Sequence, residues 1–357
     1  MNTVVNLPPL HAGNAKLRLG FGTWWRCAEI FYAFYNEVYE MEYSHKPVMA
    51  DECISGLDID PNGIYVDCTV GGGGHAALIA ERLDEGRLIA LDRDPEAIKA
   101  ARQRLEPYKD KVIFINCNFS EVKQILGGVR PKGALIDLGV SSYQIDNPAR
   151  GFSYMKDAPL DMRMDQRQAL TAYDVVNGYS EERLEKIIRE YGEERYADRI
   201  ASRIVAAREN APIRTTLELA SIIESAVPEL PRASFRSGYR RQRSYSHPAK
   251  RTFQAIRIEI NGELDVIEPT IRDLVDLLLP GGRLAVITFH SLEDRIVKRT
   301  FAELQKGCVC PPDFPICVCG KEPQVELITK KPITPCRAEL EDNPKSHSAK
   351  LRIVKKL

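Results

Sequence analysis

The sequence predicts an α/β protein: an open parallel sheet with connecting helices, interrupted by an all-helical insertion. Three observations carry this. Residues 63–83 read as strand, glycine loop and helix. Further short apolar runs come after, several ending in a carboxylate. Over residues 157–245 the apolar spacing then changes from strand-like to helical.

Ile64–Cys68 is a β-rich run bounded by Asn62–Gly63 and by the four glycines Gly71–Gly74, as expected of a buried parallel strand ending in a tight loop. Ala76–Leu83 comes next with strong helix formers whose apolar residues share one face. Glycine suits the loop because the backbone must turn sharply and approach a ligand that a Cβ would block. A second strand, Arg87–Leu91, ends in Asp92. Asp94 then reads as an N-cap and Pro95 as the first residue of a helix over Glu96–Leu105. A third strand, Val112–Asn116, leads to Cys117–Asn118–Phe119, where the aromatic ring either lies against an adenine or fills the core. A fourth, from Gly133, carries Asp137 and the small residues Gly139–Ser142.

Ligands of open parallel sheets bind outside the carboxyl ends of the strands. Asp67, Asp92, Phe119 and Asp137 therefore mark one site. Asp92 stands eighteen residues beyond the last glycine, close to the spacing at which an acidic residue accepts ribose hydroxyls. Gly71-x-Gly73-x-x-Ala76 also matches the dinucleotide fingerprint, and a glycine-rich turn with no ligand is the bland alternative. Asp67 would repel a pyrophosphate and suit a cationic amino-acid moiety. Together with His75 at the helix start, it points to S-adenosylmethionine, which has a ribose, an ammonium and a sulfonium but no phosphate.

The chain has 357 residues, 44% hydrophobic and 28% charged, with net charge +0, which suggests about two domains with a sizeable core. Bulk charge argues neither for nor against nucleic acid. No apolar run reaches membrane-spanning length, and the first residues lack the order of a secretion signal. Nine cysteines at scattered spacings fit a reducing cytoplasm. Residues 1–40 read as an N-terminal extension, aromatic-rich and unlike the rest of the chain. An interfacial helix is one reading; a natural start at Met41 is the preferred one. Residues 41–156 are expected to form the first part of the sheet domain, 157–245 a helical insertion for RNA or substrate recognition, and 246–357 the second part and tail.

Within the insertion, Ser180–Tyr191 and Arg195–Arg208 read as amphipathic helices, and Thr215–Glu218 as a capping box before Ala220–Val227. From Arg232 through Arg257 there are eight Lys or Arg and no acid, with Phe235, Tyr239, Tyr245 and Phe253 between them. Cations for phosphates and aromatics for bases describe an RNA surface, with Arg236, Arg240, Arg241, Arg243, Lys250 and Arg251 as its candidates. A solvated basic loop is the alternative. The sheet then resumes through a helix at Arg257–Leu264, a helix over Ile271–Leu279, a Pro280–Gly282 turn and a strand from Arg283 to His290. Pro311 onward is proline-rich and cationic with little periodicity.

The chain resembles the MraW/RsmH family of bacterial small-subunit rRNA methyltransferases. The matching stretches are His45–Val48 and residues 63–75, 90–98, 135–146, 150–165, 191–205, 247–264, 278–298 and 343–353. The most specific of them are GFSYMKDAPLDMRMD and FHSLEDRIVK. The resemblance implies a Rossmann-like S-adenosylmethionine-dependent methyltransferase sheet. It also implies methyl transfer to the N4 amine of a cytidine in the decoding region of 16S rRNA, in the small ribosomal subunit. The family's cofactor contacts carry over to Gly73, Gly74, His75, Asp92, Phe119, Asp137 and Gln144.

An exocyclic amine needs an acceptor for its N–H and in-line placement of the methyl donor, not a cysteine nucleophile. Cys117, without a preceding proline, is not read as one. Asp137 occupies the place where amino-methyltransferases carry their Asp/Asn-Pro-Pro-aromatic turn; the prolines are absent, so a cofactor-only role stays open. His290 and Glu293 are candidates for the target base, with a helix cap as the alternative. Cys308, Cys310, Cys317 and Cys319 offer enough thiols for a tetrahedral zinc, but C-x-C is tighter than the usual spacing and free thiols are the alternative. Rival functions are a methyltransferase of another RNA, of DNA or of a small molecule, a non-catalytic ribosome-assembly protein, and a nicotinamide dehydrogenase. A homodimer is left open.

Overall fold

The computed structural model describes residues 46–228, 247–307 and 319–357, together with Cys310, Phe314 and Ile316. Among these, seven strands form one sheet in the order β3-β2-β1-β4-β5-β7-β6. They are β1 (Ile64–Asp67), β2 (Arg87–Asp92), β3 (Val112–Asn116), β4 (Gly133–Asp137), β5 (Arg283–Thr288), β6 (Val325–Leu327) and β7 (Lys350–Lys356). β1 to β5 are parallel, while β7 runs antiparallel between β5 and β6. The chain steps outward from β1 to β3 and then returns to place β4 on β1's other side, in register Val66 to Ala134. That reversal opens a crevice at the carboxyl ends of β1 and β4.

The side chains of the strands alternate between two apolar layers, as the two-residue period of a strand requires. Tyr65, Leu88, Ala90, Leu135, Ala285 and Ile287 join one core cluster. Their neighbours Val66, Ile89, Leu91, Ala134, Ile136, Leu284 and Val286 join the other. The first layer is covered by α1 (Ala50–Leu57), α2 (Gly74–Glu81) and α3 (Pro95–Arg104). The predicted start of α3 is met: Asp94 caps it, its Oδ1 accepting from Glu96 N at 3.0 Å. Short helices α4 (Val122–Leu126) and α5 (Ser142–Asp146) come after β3 and β4.

A third apolar cluster lies off the sheet. It is built by α6 (Ala172–Gly178), α7 (Glu181–Gly192), α8 (Ala197–Asn210), α9 (Thr216–Ala226) and α10 (Ala249–Asn261). Thr215 caps α9 through the predicted box, its hydroxyl accepting from Glu218 N and the Glu218 carboxylate from Thr215 N. α7 and α10 approach closely at Gly192, where a Cβ would stand 2.8 Å from the carbonyl oxygen of Arg251. The chain returns to the sheet through α11 (Ile267–Leu277) and leaves β5 by α12 (Ser291–Gln305).

The tail departs from its sequence reading. After α13 (Arg337–Asp342), Lys350–Lys356 forms the full strand β7, with Leu351, Ile353 and Val354 buried. Its cations hid the pattern, because two are neutralised inside the fold. Arg352 Nε and Lys350 Nζ donate to Asp294 at 2.8 and 2.9 Å. Among the described residues no helix is long and apolar enough to cross a membrane. Residues 1–45, and with them Met41, lie outside the described residues, as do Arg236, Arg240, Arg241 and Arg243. So do Cys308 and Cys317; among the described residues no group of three or more His, Cys, Asp or Glu side chains is placed to hold a metal ion.

Candidate active site

Four carboxylates converge where the sheet reverses: Asp67 ends β1, Asp92 ends β2, Asp137 ends β4, and Glu293 stands just beyond β5 in the first turn of α12. Asp92 also holds the glycine loop. Its Oδ2 accepts from Gly71 N at 2.8 Å and its Oδ1 from Asp94 N at 2.9 Å. Each oxygen keeps a further lone pair for a ribose hydroxyl. Burial pushes Asp92 up to about 6 in spite of those two N–H donors. Asp67 is 1% exposed, accepts from Thr69 N at 3.1 Å, and is pushed up to about 7 by burial.

The loop glycines have different reasons to be glycine. Gly73 adopts φ +79°, and a Cβ there would meet Ala101 of α3 at 3.3 Å. At Gly74 it would meet Pro47 at 3.1 Å. Of the four, only Gly72 faces open space, with nothing within 4 Å of a Cβ. Gly73 and Gly74 therefore let the loop pack against the protein, which adds to the ligand-approach argument made from the sequence.

His75 opens α2 with its ring 6% exposed. Its Nε2 lies 2.9 Å from the carbonyl of Val48, so that nitrogen carries the hydrogen. Burial lowers its pKa to about 4, and the ring is neutral. Its Nδ1 faces Asp137 Oδ2 at 3.6 Å, too long for a hydrogen bond. Asp137 is set by its backbone N–H, which donates to Thr69 Oγ1 at 2.7 Å. Its other oxygen, Oδ1, is buried with no hydrogen-bond partner among the described residues. Burial and the neighbouring Asp67 and Glu293 push this carboxyl well above the ordinary range. The side chain as a whole is 26% exposed, which tempers the burial effect. The two carboxylates act in the same direction, so the upward shift stands.

Phe119 is half-buried, packed against the second core layer beyond the tip of β3. Gln144 is buried, and its side chain is engaged by the protein itself. Oε1 accepts from Ser141 N at 3.0 Å and Nε2 donates to Asp94 Oδ2 at 2.8 Å. His290 is the N-cap of α12 and Glu293 completes the cap, with Oε2 accepting from Phe289 N at 2.7 Å. His290 Nε2 and Glu293 Oε1 lie 3.0 Å apart without hydrogen-bond alignment. Burial alone would raise Glu293; His290, Arg257 and Phe289 N outweigh it and hold it below the ordinary range. Cys117 is pushed up to about 11 by burial and nearby acids, which leaves a thiol rather than a thiolate.

The two basic candidates in view differ. Lys250 is exposed. Arg251 Nη1 donates to the carbonyl of Glu193 at 3.1 Å and lies 3.6 Å from Glu194, tying α10 to α7. Arg257, part of the same basic run, turns inward and grips Glu263 with two hydrogen bonds of 2.8 Å. Sequence reasoning gave no role to Arg150, although it opens one of the motifs that carry the family resemblance. It is 2% exposed and clamps Asp94, whose N–H donates to Asp92. Only its place in an odd, polar, glycine-bordered motif signalled it.

The fit to a cationic nucleoside is chemical. The crevice offers carboxylates and a neutral histidine, and the first-turn N–H groups of α2, which have no acceptor within the helix, suit an amino-acid carboxylate. A sulfonium favours ionised neighbours, so its affinity is expected to fall as Asp67 and Asp92 take up protons. S-adenosylmethionine is expected to bind at least about tenfold more tightly at pH 8 than at pH 5.5, since each unit of pKa shift is tenfold. S-adenosylhomocysteine, lacking the sulfonium charge, should change less. Calorimetric titration of both ligands at both pH values checks this, and equal ratios would overturn it. Both acids have folded pKa values above their unfolded ones, so the ligand-free protein loses stability as pH rises from about 4 to about 7.

Comparisons with known proteins agree with the methyltransferase reading. Residues 42–357 match the model of the MraW methylase family. The ribosomal RNA small subunit methyltransferase H of Finegoldia magna is 52% identical over 320 residues, which cover 89% of this chain and 100% of that protein. The protein of the same name from Clostridium botulinum is 53% identical over 321 residues, with 89% and 100% covered. A "methyltransferase H 2" of Agathobacter rectalis is 53% identical, with 88% and 99% covered. With its specific stretches matched across nearly the whole described chain, this protein belongs to the MraW methylase family.

Proposed function

We propose that this chain transfers the methyl group of S-adenosylmethionine to the exocyclic N4 amine of a cytidine in the decoding region of 16S rRNA, on the small ribosomal subunit in the cytoplasm. The observation that carries the reading is the unpartnered Asp137 Oδ1 among four carboxylates at the sheet's reversal. Bound there, S-adenosylmethionine supplies an electrophilic methyl on sulfur. Asp92 accepts from the ribose hydroxyls, and Phe119 flanks the adenine. The amides of Gly74 and His75 meet the amino-acid carboxylate, with Asp67 balancing the ammonium. Gln144 holds the edge of the site through Asp94.

Asp137 does the acid–base work. With a cation beside it, its carboxyl loses the proton that burial and its neighbours favour, and becomes an acceptor. Oδ1 then accepts an N–H of the target amine, which aims the nitrogen lone pair at the methyl carbon. As the N–C bond forms and the S–C bond breaks, the surplus amine proton passes to Asp137. His290 and Glu293 fix the turn after β5 that borders the same crevice.

The test uses purified protein, labelled cofactor and small subunits from cells lacking the modification. Label is expected on N4 of one decoding-region cytidine. Label on carbon 5, or only on DNA or a small molecule, would overturn the reading.

A further inference from the structure

The helical layer carries an exposed cationic face that the crevice does not use. Arg199 and Arg203 lie on α8 one turn apart, a rise of about 6 Å. Arg195, just before the helix, lays its guanidinium 4.4 Å from the centre of the Tyr196 ring, and Arg199 lies 5.7 Å from the same ring. All three arginines are exposed. None of them has a carboxylate partner among the described residues, unlike Arg183, Arg189, Arg272 and Arg299, which are each paired with an acid. The one acid of the first turn, Asp198, turns toward Arg189 of α7 at 4.0 Å.

Beside this face an open groove of about 460 Å3 runs between α8 and the end of α9. Arg199, Arg203, Ser202 and Ser225 line it, with Ala226, Val227 and Pro228 closing its apolar side. Among the described residues, two guanidiniums, two hydroxyls and no carboxylate line this concave surface. The nearest acid of α9, Glu224, is taken up by His247 at 2.8 Å.

We propose that this face of α8 is a second RNA-binding surface, on which Arg195, Arg199 and Arg203 grip successive phosphates of the substrate RNA while the half-buried Tyr196 ring holds the Arg195 guanidinium in place. The proposal rests on the rRNA reading of the crevice. Guanidiniums spaced by one helical turn match the step between neighbouring phosphates of an RNA strand. Each is rigid, permanently charged and suited to bidentate contact with phosphate. The guanidinium plane of Arg195, held against the Tyr196 ring, is itself a surface on which an unstacked base can lie. The surface lies on the helical layer, so it would hold RNA flanking the target while the crevice holds the cytidine.

The test is salt-dependent binding of full-length protein to labelled small-subunit rRNA, alongside methylation kinetics. In Arg195→Gln/Arg199→Gln/Arg203→Gln, the slope of log affinity against log salt is expected to become shallower by about two to three, about one per lost phosphate contact. KM for RNA should rise at least about tenfold, while kcat at saturating RNA and the affinity for S-adenosylmethionine stay unchanged. The Arg→Lys triple should keep most of the slope. A control removing three cations elsewhere, Lys109→Gln/Lys123→Gln/Arg337→Gln, should keep both slope and KM. An unchanged slope and KM in the Gln triple, or an equal loss in the control, would overturn the proposal. Methylation by wild type with an unaffected Gln triple sinks this surface and leaves the rRNA reading intact. Loss of slope with no methylation of small-subunit RNA by wild type does the reverse.

Discussion

Asp137→Asn is expected to lower kcat by about two to four orders of magnitude, the usual contribution of a positioned acid–base group. Asparagine keeps the size of the side chain, and the backbone N–H that donates to Thr69 Oγ1 is untouched. What is lost is the acceptor for the amine proton. The variant should be at least as stable as wild type at pH 8, because it removes a carboxyl that must ionise beside Asp67 and Glu293. Folding and catalysis therefore separate: kcat collapses while the melting temperature holds or rises. Cofactor affinity should weaken only modestly, since Asp67 and Asp92 remain. Single-turnover kinetics at saturating cofactor, with a thermal melt, measure both. A variant keeping kcat within about threefold of wild type would remove Asp137 from the chemistry.

How much of the fold and the site was legible depends on where the information lies. The parallel strands announce themselves because both faces are buried, so Arg87–Asp92 reads as continuous apolar text ending in an acid. Their carboxyl ends converge by topology, which is why Asp67, Asp92 and Asp137 could be grouped from sequence alone. β7 was not legible: Lys350 and Arg352 look solvent-facing until Asp294, more than fifty residues earlier, absorbs their charge. Arg257 misled in the opposite sense, since its bidentate partner Glu263 lies just beyond the basic run. Gln144 and His290 show a further limit. A motif fixes that such a residue sits near the crevice, but here both side chains also cap helices, a role that depends on local geometry. The arginines of α8 carried a readable signal in their four-residue spacing. What could not be read was their lack of acidic partners among the described residues.

The largest stability loss is expected at Arg150. Its Nη1 donates to Asp94 Oδ2 and Glu96 Oε2, both at 2.9 Å, and its Nη2 to the carbonyls of Arg163 and Met164 at 2.9 and 3.0 Å. Asp94 is wholly buried, caps α3, and through its N–H fixes the carboxylate of Asp92. Arg150→Met removes the only cation paired to Asp94 among the described residues and leaves two buried carbonyls short of a donor. Breaking one side of a buried ion pair costs about 3–5 kcal/mol. Lysine should not rescue it, because a single ammonium cannot reproduce the planar fork that spans two acids and two carbonyls. Arg150→Met should therefore lower the unfolding free energy by about that amount in denaturant titration. It should also weaken S-adenosylmethionine binding, although Arg150 acts on the cofactor site only through Asp94. Adding Asp94→Asn removes the stranded charge, so the double variant should lose clearly less than the sum of the two single losses, the signature of direct coupling. Strict additivity would mean that the pair is not what joins the residue 150–165 motif to the cofactor strand.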